Sequence, residues 1–161
     1  MKIGIISDTH GNWSAIDKAI ELAQNPEMWL HLGDCLPDAE YLQSVTEVPV
    51  FGVAGNCDWP MQGGCYERIV DVAGHKIFLT HGHNYGVRYT PEYVVEAAES
   101  QGADIAIYGH THIAEIFPGT PYILNPGSAS RPRDENRGSF MIMDLEPGAE
   151  PKVNLIRLGK D

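Results

Sequence analysis

The stretch that decides the fold is Lys2-Ile3-Gly4-Ile5-Ile6-Ser7-Asp8-Thr9-His10, an apolar run that ends in polar side chains. The apolar part predicts a buried β-strand over 2–6. Beyond the polar loop, Ile16, Ala19, Ile20 and Ala23 have the i, i+3, i+4, i+7 spacing of an amphipathic helix, with Asn12 or Ser14 as its cap. Such a strand, polar loop and helix indicate an α/β fold with its ligand site at the carboxyl end of the strand.

The same arrangement recurs along the chain. Helices are predicted at 38–44 and 91–101, and strands at 28–32, 50–53, 68–72, 76–80, 104–108, 121–124, 139–145 and 152–158. The order is βαβαβ, followed by mostly antiparallel strands with one strong helix. Two packed mixed sheets with helices outside would bury all these apolar faces, so we expect an α/β (α+β) fold.

Length and composition place the chain among globular proteins. A chain of 161 residues, 43% of them hydrophobic, predicts a single domain over 1–161 with a sizeable core. No apolar run approaches the roughly 18 residues of a membrane span, and the N-terminus lacks the apolar core of a signal peptide. The three cysteines form no C-x-x-C pair, which favours free thiols. We therefore expect a cytoplasmic protein.

The net charge of −11 excludes one class of partner and permits another. Binding along a nucleic acid requires a basic face, so no large nucleic-acid surface is expected. A small anionic substrate remains compatible with this charge if bound cations reverse its sign locally.

Five successive strands end in side chains of the types that bind metals. Asp34 and Asn56 each follow a glycine, which permits a sharp turn and a close backbone approach. Asp8 with His10, and His110 with His112, are each separated by one residue, so each pair places two donors on one side of an extended segment. A set without thiolates suits Mn, Fe, Ni, Co or Zn. The candidate ligands are Asp8, His10, Asp34, Asn56, His81, His110 and His112.

The number of donors indicates two metal ions. Seven donors exceed what one tetrahedral site needs, and a carboxylate such as Asp34 could bridge two cations. Two cations about 3.5–4 Å apart can polarise a phosphoryl group and generate hydroxide from water. A single Gly-Asp is usually only a turn. Turn chemistry would not, however, supply metal donors at five separate strand ends.

The ordered motifs resemble those of the calcineurin-like metallophosphoesterases. The motifs are Asp8-Thr9-His10, Gly33-Asp34, Gly55-Asn56-Cys57-Asp58, Thr80-His81-Gly82-His83 and Gly109-His110-Thr111-His112, and Asn125-Pro126-Gly127-Ser128 with Arg131 and Arg133 extends the match. Within that family, the chain is most similar to the small single-domain phosphodiesterases of bacteria and archaea.

This resemblance implies a fold, an activity and a ligand assignment. The fold would be a four-layer αββα sandwich, and the activity that of a metal-dependent phosphoesterase, above all a phosphodiesterase. Two divalent metal ions would be bound, manganese first, with nickel, iron, cobalt or zinc as alternatives. A hydroxide between the metals would attack phosphorus in line. Asp8, His10 and His112 would hold one metal, Asn56, His81 and His110 the other, and Asp34 would bridge them.

One position departs from the pattern of many relatives. Cys57 stands where they carry a histidine that assists the leaving group, although the small phosphodiesterases often have cysteine there. A thiol beside two cations would favour the thiolate, which cannot donate a proton. Cys57 is therefore either a catalytic group or a small buried thiol. Asp58 would orient a neighbour, and with Asp34 these residues form the predicted catalytic set.

The residues predicted to contact substrate are Asn56, His83 and Arg131. Arg131 and Arg133 could meet a phosphate, or could instead pair with Asp134 and Glu135. Trp13 and Trp59 could wall the substrate pocket, although packing is the simpler role. His31 and His75 are interpreted as structural or exposed.

Two other functions remain open at this point. The family includes a vacuolar sorting subunit that uses the sandwich for protein–protein contacts, so a non-catalytic scaffold is one alternative. A phosphomonoesterase or protein phosphatase is the other, but a chain this short leaves little room for a large recognition insert. The expected partner is a small phosphate ester, and a homo-oligomer is compatible with the sequence.

Overall fold

The computed structural model describes residues 1–58 and 65–159. In chain order its strands and helices are β1 (Lys2–Ile6), α1 (Trp13–Leu22), β2 (Met28–His31), α2 (Leu36–Val45), β3 (Val50–Gly52), β4 (Glu67–Val72), β5 (His75–Thr80), a 3₁₀ helix (His83–Tyr85), α3 (Glu92–Ser100), β6 (Ile105–Ile107), β7 (Ala114–Phe117), β8 (Tyr122–Pro126), β9 (Ser139–Asp144) and β10 (Lys152–Arg157).

The strands form two mixed five-stranded sheets. The first has the order β10-β9-β1-β2-β3, and the second β4-β5-β6-β8-β7. Strands β1, β2 and β3 are parallel to one another, as are β5, β6 and β8. Because parallel neighbours share one direction, the carboxyl ends of these strands meet at one edge of each sheet. The polar loops found in the sequence follow these ends.

Three apolar clusters define the layers. The cluster between the sheets contains Ile3, Leu30, Leu79 and Ile107, all fully buried. A second cluster packs α1 and α2 on the first sheet, and a third packs α3 on the second sheet. Helices therefore cover both outer faces, and the predicted α/β sandwich of two mixed sheets is confirmed.

The helix ends follow from local chemistry. Asn12 caps α1 as predicted, because its Oδ1 accepts a hydrogen bond from the backbone N–H of Ala15 at 3.0 Å. Pro91, expected in the first turn of α3, is the residue that precedes it. Thr90 still accepts a bond from the Glu92 N–H through its hydroxyl oxygen, at 3.2 Å.

One strand was not predicted. Strand β7 lies at the edge of the second sheet and pairs only with β8, and its residues are half-buried or exposed. A short edge strand of this kind buries too little apolar surface to leave a clear alternating pattern. Within residues 1–58 and 65–159, no helix has both the length and the apolar character that crossing a membrane requires.

Candidate metal centre

Asp8 occupies the centre of the site and is fully buried. Its Oδ2 accepts hydrogen bonds from the Ser7 hydroxyl at 2.6 Å and from the His110 backbone N–H at 3.1 Å. Among the residues that the structure describes, its Oδ1 has no hydrogen-bond partner. The Nε2 atoms of His112, His81 and His10 lie 3.2, 3.7 and 4.0 Å from that oxygen.

Backbone carbonyls fix two of these imidazoles. The Nδ1 of His112 lies 2.7 Å from the carbonyl oxygen of Arg131, and the Nδ1 of His81 lies 2.6 Å from that of Leu32. Since a carbonyl only accepts, each Nδ1 is the donor, and in the neutral ring Nε2 carries a lone pair. These lone pairs face the carboxylate of Asp8 in a buried space. Acceptors that face one another there require a shared cation or proton, so the donor set fits a metal.

Asp34 faces the same space from the end of β2. Its Oδ2 lies 3.3 Å from His81 Nε2, and its Oδ1 accepts the Cys57 backbone N–H at 3.0 Å. Burial alone would raise the pKa of Asp34, but the contacts with His81 and Cys57 hold it well below its usual range. Burial would likewise lower the pKa of His81, which Asp34 and Asp8 raise. Asp34 is therefore ionised and available to a cation.

Two sets of three ligand atoms are each compact, with all atoms of a set within 4.8 Å of one another, and both sets contain Asp8. One set is Asp8, His10 and His112, and the other is Asp8, Asp34 and His81. Beside them, His110 Nδ1 lies 3.1 Å from the Oδ1 of Asn56. The structure thus brings together all seven candidate ligands. It also shows that Asp8 belongs to both sets of ligand atoms, whereas Asp34 belongs to one.

The backbone at these ligands is unusual. Eight residues other than glycine have a positive φ within the described part of the chain, and five of them are candidate ligands. Those five are Asp8, His10, Asp34, His110 and His112. The left-handed conformation costs about 1–3 kcal/mol for such a residue and is typical of functional sites. Here it turns side chains from separate strand ends toward one point.

Two glycines make the close packing of the loops possible. A Cβ atom at Gly55 would lie 2.0 Å from Asp34 Oδ1. Gly33 has a φ of +101°, and a Cβ there would lie 2.7 Å from His81 Nδ1. The glycines that precede Asp34 and Asn56 therefore permit the close approach predicted for them.

Asp58 holds two ligand loops together. Its carboxylate accepts the backbone N–H groups of Asp34 at 3.0 Å, Gly55 at 2.9 Å and Leu36 at 2.6 Å. These bonds join the loop after β2 to the loop after β3. The contacts are those of a carboxylate that orients its neighbours, which is the role we predict for it.

A buried network supports the loop of His10. Asp38 accepts bonds from the Thr9 hydroxyl at 2.5 Å, the Gly11 N–H at 2.7 Å and the Trp13 indole at 3.0 Å. The Thr9 hydroxyl also lies 2.9 Å from Nε2 of the fully buried His31. His31 is therefore structural, and burial lowers its pKa to about 4. Asp38 was not predicted from the sequence, because an acidic residue in the first turn of a helix is common and does not indicate such a role.

Two serines in the loop after β8 hold the backbone of Asp8 in place. The hydroxyls of Ser128 and Ser130 both donate to the backbone carbonyl of Asp8, at 2.8 and 2.9 Å. Ser128 belongs to the Asn125–Ser128 motif, whereas Ser130 and Ser7, which donates to the Asp8 carboxylate, were not singled out from the sequence. Small hydroxyl residues are too common in loops to mark such roles.

A cleft of about 510 Å³ opens above the ligands. Cys57 lines it and is exposed, so the alternative of a small buried thiol is wrong. Partial loss of solvation around the thiol, together with the charges of Asp34 and Asp58, raises the pKa of Cys57. The remaining lining residues are His10, Asp34, Asn56, Arg88, His110, His112, Arg131, Pro132 and Arg133.

Two of the predicted pocket residues lie away from this cleft. His83 is half-buried behind the ligands, with its ring centre 5.5 Å from that of His81 and 6.3 Å from that of His110. Trp13 stacks on Tyr41 with ring centres 4.1 Å apart. Trp59 lies outside the described residues. A contact of His83 with substrate stays a prediction.

Curated relatives are similar over most of the chain. The profile of the calcineurin-like phosphoesterase superfamily domain matches residues 1–148. The probable metallophosphoesterase YsnB of Bacillus subtilis (strain 168) is 35% identical, over 92% of this chain and 87% of its own. The phosphodiesterase YfcE of Escherichia coli (strain K12) is 32% identical, over 89% of this chain and 88% of its own.

Solved structures have the same fold. A predicted phosphoesterase from Streptococcus pneumoniae TIGR4 has a TM-score of 0.81 at 23% identity, over 97% of this chain and 88% of its own. Wild-type Vps29 from Entamoeba histolytica, in complex with Zn²⁺, has a TM-score of 0.75 at 23% identity, over 98% and 99%. Together the profile, the curated relatives and the fold show that this chain belongs to the calcineurin-like phosphoesterase superfamily and is a phosphoesterase enzyme.

Proposed function

We propose that this chain, as one domain over 1–161, is a phosphodiesterase that binds two divalent cations. Manganese is the cation we propose for both positions. One observation carries the proposal: within the described residues the buried Oδ1 of Asp8 has no hydrogen-bond partner, and the Nε2 atoms of His112 and His81 lie 3.2 and 3.7 Å from it. The ligands would be Asp8, His10, Asp34, Asn56, His81, His110 and His112, with Asp8 common to the two sets of ligand atoms and Asp34 proposed to lie between the cations.

The side chains of the cleft would bind and orient the ester. When bound, the cations lower the pKa of water and withdraw charge from the phosphoryl oxygens. The guanidinium of Arg131 has a planar set of donors that matches phosphate oxygens, and the amide of Asn56 faces the same cleft. Water would attack phosphorus opposite the leaving oxygen. The open cleft leaves space for that group to depart.

Two observations favour a diesterase over the alternatives. The relative YfcE is named a phosphodiesterase. A scaffold needs no metal donors, whereas every matched ligand position here has one that points into the site. The likeness to Vps29, at 23% identity, concerns the fold alone.

The test is a substrate panel with metal-reconstituted protein. Protein stripped with a chelator should be inactive, and Mn²⁺ should restore hydrolysis of bis-p-nitrophenyl phosphate above that of p-nitrophenyl phosphate. Cyclic nucleotides complete the panel. Folded, metal-loaded protein that hydrolyses none of these esters would contradict the proposal.

Two histidine variants provide the matched control. His110→Ala removes a candidate ligand and should abolish the activity. His75→Ala removes a histidine that contacts Asp104 and the Glu146 carbonyl instead, so its activity should stay near that of the wild type. Equal losses in both variants would show an effect of folding rather than of the site.

A further inference from the structure

The side chain of Asn125 is fully buried near the carboxyl end of β8, where the Asn125-Pro126-Gly127-Ser128 motif begins. Its Oδ1 accepts the Gly127 N–H at 2.9 Å. Its Nδ2 lies 3.3 Å from the carbonyl oxygen of Gly109 and 2.9 Å from the hydroxyl oxygen of Thr111. Because the Gly127 N–H only donates and the Gly109 carbonyl only accepts, these partners fix the orientation of the amide. The position therefore requires a short side chain with both a donor and an acceptor.

The two partners of Nδ2 are the ends of a strained turn with His110 at its centre. The Thr111 N–H donates to the Gly109 carbonyl at 2.9 Å, and His110 has a φ of +72°. A bond of this kind across one residue with a φ of about +75° defines a γ-turn that is rare and strained. Such a conformation persists only where the surrounding structure holds it. The amide of Asn125 contacts both ends of the turn and supplies that support.

Thr111 extends the support to the second histidine of the segment. Its hydroxyl oxygen accepts the Ile113 N–H at 3.2 Å, across His112, which has a φ of +63°. The two histidines serve different halves of the site. His112 belongs to the set that contains His10, whereas His110 lies beside Asn56. The relative placement of the two imidazoles therefore depends on the Thr111 hydroxyl and on the amide that contacts it.

The backbone of the turn is also joined to other ligands. The Gly109 N–H donates to the His81 carbonyl at 3.0 Å, and the His110 N–H donates to the Asp8 carboxylate at 3.1 Å. Asp8 belongs to both sets of ligand atoms. A displaced turn would therefore disturb ligands in both halves of the site.

We propose that Asn125 is a positioning residue for both cations. Through Gly109 and Thr111 it holds the segment of His110 and His112 in the conformation in which the two imidazoles reach their separate halves of the site. The proposal rests on the proposed function and its two cations, and it gives a role to a residue outside the ligand set.

The test removes the hydroxyl of Thr111, which is half-buried and so tolerates substitution. Thr111→Val keeps the shape of the side chain but offers no oxygen to Asn125, whereas Thr111→Ser keeps the hydroxyl. Chelator-treated protein is titrated calorimetrically with Mn²⁺. Thr111→Val should bind both cations about 10–100-fold more weakly than the wild type, the loss typical of a group that orients metal ligands. Thr111→Ser should retain the affinity of the wild type.

Asn125→Asp tests the amide itself. The carboxylate can still accept the Gly127 N–H, but when ionised it has no hydrogen to donate to Gly109 or Thr111. Its affinity for Mn²⁺ should fall at least as far as that of Thr111→Val. Circular dichroism checks the fold, and the Thr111 variants decide the question if Asn125→Asp does not fold.

Thr46→Val is the matched control. Thr46 is also half-buried, and its hydroxyl donates to the Leu42 carbonyl at 2.8 Å at the end of α2. Its loss should leave the affinity for Mn²⁺ unchanged. Wild-type affinity in Thr111→Val, or an equal loss in Thr111→Ser or Thr46→Val, would overturn the proposal.

The metal titration needs no ester, so it separates this proposal from the diesterase function. If the wild type hydrolyses no ester but Thr111→Val binds Mn²⁺ more weakly and Thr111→Ser does not, the diesterase function fails and the role of Asn125 stands. If the wild type hydrolyses diesters and Thr111→Val matches it in Mn²⁺ affinity, the role of Asn125 fails and the diesterase function stands.

Discussion

His112 Nε2 lies 3.2 Å from Asp8 Oδ1, while the other nitrogen of that ring is held by the carbonyl of Arg131. The bond to Arg131 fixes the tautomer, so an acceptor faces an acceptor at the centre of the site. A second imidazole nitrogen, Nε2 of His10, lies 3.4 Å from His112 Nε2. A group of this kind is stabilised when a cation occupies the space between its members.

We expect metal binding to stabilise the fold and to reach two ions per chain. A ligand that binds only the folded state raises its stability in proportion to the logarithm of its concentration. Melting temperature should therefore rise as Mn²⁺ is added to chelator-treated protein. Elemental analysis of saturated protein should approach two metals per chain. A value of one after saturation would contradict the dinuclear assignment.

Asp34→Asn should abolish diesterase activity and leave the fold intact. The amide oxygen can still accept the Cys57 N–H, but the negative charge that faces His81 is lost. The measurement is kcat for bis-p-nitrophenyl phosphate at saturating Mn²⁺, with circular dichroism to confirm the fold. A loss smaller than tenfold, which is about 1.4 kcal/mol, would contradict a role for Asp34 between the metals.

Much of this site could be predicted because its ligands follow strands. The apolar run before Asp8 predicts a strand, and the carboxyl ends of parallel strands meet in any such sheet. Asp38 could not be found in that way. It does not follow a strand, and its role depends on contacts with residues that are distant in sequence. Strand β7 could not be predicted either, because it is defined by its pairing with β8 and not by a hydrophobic pattern in its own residues.

Asp38→Asn should weaken metal binding on the His10 side. The three bonds to Asp38 all come from donors, so an amide NH₂ would face one of them and displace the loop of His10. Loss of a residue that orients ligands typically lowers metal affinity by about 10–100-fold. Calorimetric titration with Mn²⁺ measures the change.

Asp17→Asn is the matched control for that variant. Asp17 is an exposed acid on α1 that accepts a bond from the Tyr41 hydroxyl at 2.6 Å. The affinity of Asp17→Asn for Mn²⁺ should equal that of the wild type. Equal affinities for Asp38→Asn and Asp17→Asn would show that the network does not support the ligands.

His75 should make stability depend on pH at the far end of the second sheet. Burial would lower the pKa of His75, but its bonds to the Glu146 carbonyl and to Asp104 raise it. A raised pKa in the folded state means that the protonated form contributes stability below the unfolded pKa of about 6.5 and that this contribution disappears as pH rises through the folded value. The stability difference between wild type and His75→Gln should therefore be larger at pH 5.5 than at pH 8.5. Urea unfolding measures it, and a difference that grows with pH would contradict the assignment.

The side chain of Cys57 should matter little for good leaving groups. At this position the backbone N–H bonds to Asp34, and any residue except proline supplies that group. The thiol also contacts the Asp34 carboxylate, and the nitrogen of the Asn56 amide lies 3.8 Å from its sulfur. Because p-nitrophenolate leaves without a proton, Cys57→Ala should hydrolyse bis-p-nitrophenyl phosphate at nearly the wild-type rate.

Cys57→His should instead improve poor leaving groups. An imidazole exposed in the cleft can protonate a basic leaving oxygen, and general acid catalysis is typically worth about 10²–10⁴-fold. The ratio of kcat/KM for alkyl esters to that for p-nitrophenyl esters should therefore rise in Cys57→His and stay unchanged in Cys57→Ala. Both variants need confirmed metal content, so that a change in loading is not taken for a change in acid catalysis. A large loss in Cys57→Ala on both kinds of ester would show that the thiol itself is required, as ligand or as acid.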